Sequence, residues 1–148
     1  MLKVADNFVK LWTNQKICYR INYKRRCFCM PVITIEMGNK WKIETAVTIK
    51  NIVMEEVKNA FNLKSTDRNI KVIRYDQDLF ELNDPYEVFI EIQLIKGRES
   101  EFKRDLYKSI TTAIEEKTLF KRENVFIFLN EQPAENWGVK GGFVASEI

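Results

Sequence analysis

Apolar and polar positions along the chain fall into two similar blocks. Pro31–Met37 (PVITIEM) is short and β-branched, ends at Gly38-Asn39, and predicts a strand. Between Trp41 and Phe61, the residues Ile43, Ala46, Val47, Val53, Met54, Val57 and Phe61 recur at three- and four-residue steps. Lys50, Glu55, Glu56, Lys58 and Asn59 fall mostly on the other side, so the stretch predicts an amphipathic helix. A polar connection over 62–69 leads to Ile70–Tyr75 (IKVIRY), whose alternation predicts a second strand. A loop over 76–85 ends in Asp84-Pro85. Tyr86–Ile95 (YEVFIEIQLI) is the longest predicted strand and is closed by Lys96-Gly97-Arg98. Phe102, Leu106, Ile110, Ala113 and Ile114 mark the apolar face of a second helix from Ser100 to Lys117. Val125–Leu129 (VFIFL) is a continuous apolar run, the pattern of a strand buried on both sides. The tail carries Pro133, Trp137 and Gly138, then Gly141-Gly142, and reads as a turn or hairpin near a pocket or subunit interface.

The order is β-α-β followed by β-α-β. This predicts an α+β fold in which tandem β-α-β units form a four-stranded sheet with two helices on one face. The halves echo each other, because Leu63, Asp67 and Ile70 lie 56 residues before Leu119, Glu123 and Phe126. Helices on one face leave Phe89, Phe126 and Phe128 on the other, where exposure is costly and oligomerisation is expected.

Composition sets limits on the chemistry. With 148 residues the chain is one domain's worth. It has no histidine, which excludes Ser-His-Asp and Cys-His nucleophile systems and zinc sites built on imidazole. No apolar run is long enough to span a bilayer, so no membrane partner is expected. The net charge of +3 is unevenly spread. Residues 1–29 hold seven Lys/Arg against Asp6 alone, whereas residues 30–148 hold 17 basic against 20 acidic side chains. All three cysteines (Cys18, Cys27, Cys29) also lie in the first segment. Leu2, Ala5, Phe8, Val9 and Trp12 have helix-like spacing, but there is no secretory apolar core or cleavage site. Arg25-Arg26 can be encoded as a purine-rich ribosome-binding sequence just upstream of Met30. Residues 1–29 are therefore expected to be a translated leader or a disordered basic extension, with the working domain over 30–148. No nucleic-acid partner is expected: Glu87 and Glu91 on the third strand repel phosphate, and Lys140-Gly141-Gly142-Phe143-Val144 lies beyond the last strand.

A chain-long set of residues carries a resemblance. Met30-Pro31-Val32-Ile33, Leu63 with Asp67-Arg68, Lys96-Gly97-Arg98, Leu106-Tyr107, Asn124-Val125-Phe126 and Glu135-Asn136-Trp137 together resemble the tautomerase superfamily. The likeness is greatest to its double-length branch, which includes malonate semialdehyde decarboxylase-like proteins, and it spans about residues 30–143. It implies a tautomerase-like sheet, a homotrimer, a cytoplasmic location and a reaction that needs no cofactor or metal. It further implies removal of Met30, so that Pro31 becomes an amino-terminal catalytic base. Arg98 would bind and polarise a carboxylated substrate with help from Lys96, which stands where the decarboxylase-like relatives have a second arginine. Asp67 matches an acid that activates water or orients substrate. Trp137 matches an aromatic at the pocket mouth, and Val139 stands where those relatives have phenylalanine.

The chemistry fits these residue types. A terminal proline is a rigid secondary amine that loses little freedom on binding substrate. An α-amino group titrates at about 8 in water, and desolvation or nearby cations lower that value. Within a chain the same nitrogen is an amide with no useful basicity. Arg98 follows Gly97 at a helix start, where the dipole also favours an anion. The expected activity is keto–enol tautomerisation of a small carboxylate-bearing enol or keto acid. Decarboxylation or hydration of a 3-oxo acid, or a catalytically silent oligomeric binding protein that retains 1–29, are the alternatives.

Overall fold

The structure, a computed structural model, describes residues 30–148. The amphipathic pattern over 2–12, the Cys27-x-Cys29 pair and the expected leader lie outside the described residues. The elements are β1 (Val32–Gly38), α1 (Ile43–Phe61), β2 (Ile70–Tyr75), β3 (Val88–Ile95), α2 (Ser100–Lys117) and β4 (Val125–Gln132). A short hairpin of β5 (Gly138–Val139) and β6 (Phe143–Val144) follows. The main sheet has the order β2-β1-β3-β4. β1 pairs in parallel with β2, β3 pairs in parallel with β4, and the two halves join through antiparallel β1 and β3.

The two-residue alternation of the strands separates the sheet faces. One continuous row across all four strands is Val72, Ile35, Ile90 and Ile127, with Ile35 and Ile90 fully buried. Ile33, Met37, Val88, Ile92 and Leu94 extend this layer. Ala46, Ile49, Val53 and Val57 of α1 and Leu106, Ile110 and Ile114 of α2 cover it. α1 ends at Asn62 in the left-handed region (φ 52°), where the Asn62 N–H donates to the Lys58 carbonyl.

Several details differ from the sequence expectation. The apolar run of β4 is buried on one side only within this chain: Phe126 is 42% and Phe128 47% exposed, because both helices occupy the other face. The buried stripe of α1 passes through Ile49 and Ile52, which the periodicity did not single out, while Ile43 and Val47 are exposed. Helix α1 opens at Ile43, because Trp41 packs edge-on against Phe120 at 4.6 Å and its carbonyl accepts from Arg74 Nη2 at 2.6 Å. β3 begins at Val88, and β4 continues through Gln132, past the end of its apolar run. No helix among the described residues is long and apolar enough to cross a membrane.

The internal echo is a pseudo-twofold. β1 opens at Val32 and β3 at Val88, 56 positions on, and α1 and α2 end at Phe61 and Lys117 with the same offset. The register obeys it too: Ile33 pairs with Ile70 in the first half, and Phe89 with Phe126 in the second.

Because Ile90 is fully enclosed between the two halves, Ile90→Ala is expected to cost about 2–5 kcal/mol through lost burial and a residual cavity. Urea denaturation followed by circular dichroism measures it; an unchanged midpoint would contradict this packing.

Candidate active site

The antiparallel junction puts the start of β1 and the end of β3 at one end of the sheet, together with the start of β2 and the end of β4. Pro31 is buried there, one residue before Val32, which faces Gln93 on β3. One further step of that register sets Pro31 beside Leu94, and Leu94 faces Glu131 on β4. Pro31, Leu94 and Glu131 thus form a cross-sheet row, placing Glu131 two strand spacings from Pro31, or roughly 10 Å.

Lys96-Gly97-Arg98 leaves β3 at this same end. The Lys96 N–H donates to the Gln132 carbonyl at 2.9 Å, joining the turn to the end of β4. Gly97 has φ +124°, a conformation that side chains disfavour, so glycine lets the chain turn directly from strand to helix. The Arg98 guanidinium lies over the Phe61 ring at 5.4 Å, and Phe61 packs edge-on against Phe102. Lys96 is exposed, and the pseudo-twofold gives it a counterpart in the first half. It relates Lys96 and Pro31 to Lys40 and Glu87, whose side chains form an ion pair at 2.8 Å.

Asp67 is at the same end, in the turn before β2, but its carboxylate is used locally. Its Oδ2 accepts the Lys64 N–H at 3.3 Å, and the Asp67 N–H donates to the Lys64 carbonyl at 3.0 Å. Asn69, two residues on, accepts the Ile33 N–H at 2.8 Å and ties this turn to the start of β1. Trp137 and Val139 follow the end of β4, both half-buried. The Trp137 carbonyl accepts the Ala145 N–H at 2.9 Å, while its indole Nε1 is buried without an acceptor. A ladder of side-chain bonds leads to this tail: Asn130 donates to Glu91 at 3.0 Å, Gln132 to Asn130 at 2.8 Å and Asn136 to Gln132 at 3.0 Å.

Sequence reasoning missed Glu131 and Lys103. The Arg98 N–H donates to Glu131 Oε1 at 3.3 Å, and Lys103 Nζ lies 2.5 Å from Oε2. Burial pushes the Glu131 carboxyl up, but the Lys103 hydrogen bond and the Arg98 and Gly97 amides outweigh it and hold it below the ordinary carboxylate value. Burial, opposed by Lys103 and reinforced by Glu131, raises the nearby Tyr107 phenol. A signal for Glu131 existed: it continues the inward alternation of Val125, Ile127 and Leu129 with an acid. Among the described residues, no cluster of three or more Cys, Asp or Glu side chains could hold a metal ion.

Fold and site together define a tandem β-α-β protein whose chemistry-bearing residues converge at one end of the sheet. Its relatives make the assignment specific. The family described as tautomerase enzyme matches residues 73–140, which include Lys96, Arg98, Glu131, Trp137 and Val139. A 2-hydroxymuconate tautomerase of Comamonas testosteroni is 32% identical over 53 residues, covering 36% of this chain and 84% of that protein. The enzyme of the same name from Bacillus subtilis (strain 168) is 28% identical over 53 residues, covering 36% and 86%. Among solved structures, native fused 4-OT superposes with a TM-score of 0.69 at 13% identity, over 79% of this chain and 98% of its own. Malonate semialdehyde decarboxylase inhibited by 3-bromopropiolate gives 0.66 at 20% identity, over 76% and 89%. The chain belongs to the tautomerase superfamily.

The Glu131 contacts predict a pH signature. A depressed carboxyl pKa stabilises the fold fully above the unfolded value of about 4.3, and the contribution fades as pH falls through the lower folded value. Glu131→Gln is therefore expected to lose on the order of 1–3 kcal/mol at pH 7, and the difference from the parent should shrink on acidification. Denaturation midpoints at pH 7 and pH 3 test this; a pH-independent difference would refute it.

Proposed function

We propose that the protein is a cofactor-independent keto–enol tautomerase acting on a small carboxylate-bearing enol or keto acid, with Pro31 as its base. The observation that carries this reading is the convergence of Pro31, Lys96, Arg98 and Trp137 at one sheet end, in a chain that belongs to the tautomerase superfamily. Removal of Met30 turns the Pro31 nitrogen from an amide into a secondary amine. That amine takes the proton from the enol oxygen and returns it to the adjacent carbon, leaving the composition of the substrate unchanged. Arg98 holds the substrate carboxylate and steadies charge on the reacting oxygen. Lys96 adds a cation beside the amine, and Trp137 and Val139 form the wall through which substrate enters.

Decarboxylation or hydration through Asp67 has less support, because that carboxylate closes the Lys64–Asp67 turn. Assembly as a homotrimer suits the bare sheet face, where Phe89 and Tyr86 pack on an exposed Phe126. The fused 4-OT structures that share this fold include symmetric trimers.

Natively expressed protein is expected to have the mass of a chain starting at Pro31 and to ketonise phenylenolpyruvate. Pro31→Ala and Arg98→Ala should each lower kcat/KM by about 100-fold or more. A retained Met1–Met30 segment, or unchanged rates in both variants, would overturn the assignment.

A cation beside an amine lowers its pKa, so Lys96→Gln should let the Pro31 nitrogen rise. The acidic limb of kcat/KM then moves to higher pH, which a pH–rate profile measures; a stationary limb would remove Lys96 from this role.

A further inference from the structure

The two halves of the chain have the same backbone plan but different fastenings at their strand-to-helix turns. In the first half, Arg74 holds the turn by its carbonyls, donating to Asn39 O at 3.0 Å and Trp41 O at 2.6 Å. In the second half, a carboxylate holds the turn by its amides: Glu131 Oε1 accepts the Arg98 N–H, and Lys103 closes on Oε2. The pseudo-twofold relates Glu131 to Tyr75 and Lys103 to Val47, so neither member of the ion pair has a charged twin. A strand–turn–helix of this shape thus forms without the pair. The pair occurs only at the end that carries Pro31.

From this asymmetry we propose that Glu131 is a positioning residue: its carboxylate, braced by Lys103, clamps the Gly97-Arg98 turn and so sets the place from which Arg98 meets a substrate carboxylate. This rests on the reading of Pro31 and Arg98 given above. Four features favour the clamp. Glu131 shares a cross-sheet row with Leu94 and the Pro31 position, so it fixes Arg98 relative to the base through paired backbone. It holds the first amides of the turn, which leaves recognition of the substrate to side chains. Gly97, at φ +124°, is where the chain turns, and the Glu131 bond to the Arg98 amide fastens it immediately after that point. Lys103 projects from the first turn of α2, which couples the helix start to the end of β4.

The test is a double-mutant cycle in natively expressed protein, assayed well below each variant's thermal midpoint. Glu131→Ala is expected to raise KM for phenylenolpyruvate about tenfold with a smaller change in kcat, since the carboxylate is held in ground and transition states alike. If Glu131 acts through Arg98, the double variant with Arg98→Ala is no worse than Arg98→Ala alone. Glu131→Gln keeps one acceptor oxygen and should recover part of the loss; it also carries the test if the alanine variant does not fold. Additive losses would overturn the clamp. So would a parent-like KM, or a lower KM, which would make Glu131 a competitor for the substrate's place. Binding of benzoate, followed by NMR titration, separates this inference from the tautomerase reading. If the parent does not ketonise phenylenolpyruvate but binds benzoate, and Arg98→Ala, Glu131→Ala and the double variant weaken it equally, the clamp stands and the tautomerase reading falls. If the parent is active and Glu131→Ala leaves it unaltered, the tautomerase reading stands and the clamp falls. Absence of both activity and benzoate binding overturns both.

Discussion

The antiparallel pairing of β1 with β3 is the constraint on which the rest depends. Each β-α-β half makes a parallel pair and, alone, has both of its strand edges unpaired; joining covers the β1 and β3 edges. Joining the halves head to tail merges their apolar rows into one layer, with Ile35 against Ile90 at its centre. The same pairing brings the first residue of one half against the last strand residues of the other. Core formation and site formation are thus a single event: a register that buries Ile33, Ile35 and Met37 also sets Pro31 beside Leu94 and the turn that leads to Arg98.

Much of the architecture was legible in the chain because local signals agreed with tertiary ones. β2 and α2 have the bounds that alternation and helical spacing indicate, since polar turns fence both of them. Helix α1 was less legible at its start: Trp41 is apolar enough to join the helical pattern, yet the ring is claimed by Phe120 and the backbone by Arg74. The meaning of VFIFL could not be read locally. Continuous apolarity marks two covered faces, and this chain supplies a cover for one.

The same division holds at the site. Pro31, Asp67, Lys96, Arg98, Trp137 and Val139 were singled out through the resemblance to the tautomerase superfamily, and all six lie at one end of the sheet. Asp67 shows the limit of that approach, because a carboxylate's work depends on the N–H it faces, and here that is Lys64. Glu131 and Lys103 were missed for the complementary reason. They are separated by most of α2 and the start of β4, and neither carries a motif. Only strand pairing and the Gly97 turn make them neighbours.

The opposite end of the sheet repeats this geometry with other contents: Glu87 stands at the place of Pro31 and is held by Lys40. The tandem scaffold thus has two ends of the same backbone shape, one opening on a proline and the other on a carboxylate paired with a lysine. At that second end the place of the ring is filled by an ion pair, so one backbone plan accommodates opposite surface chemistries at its two poles.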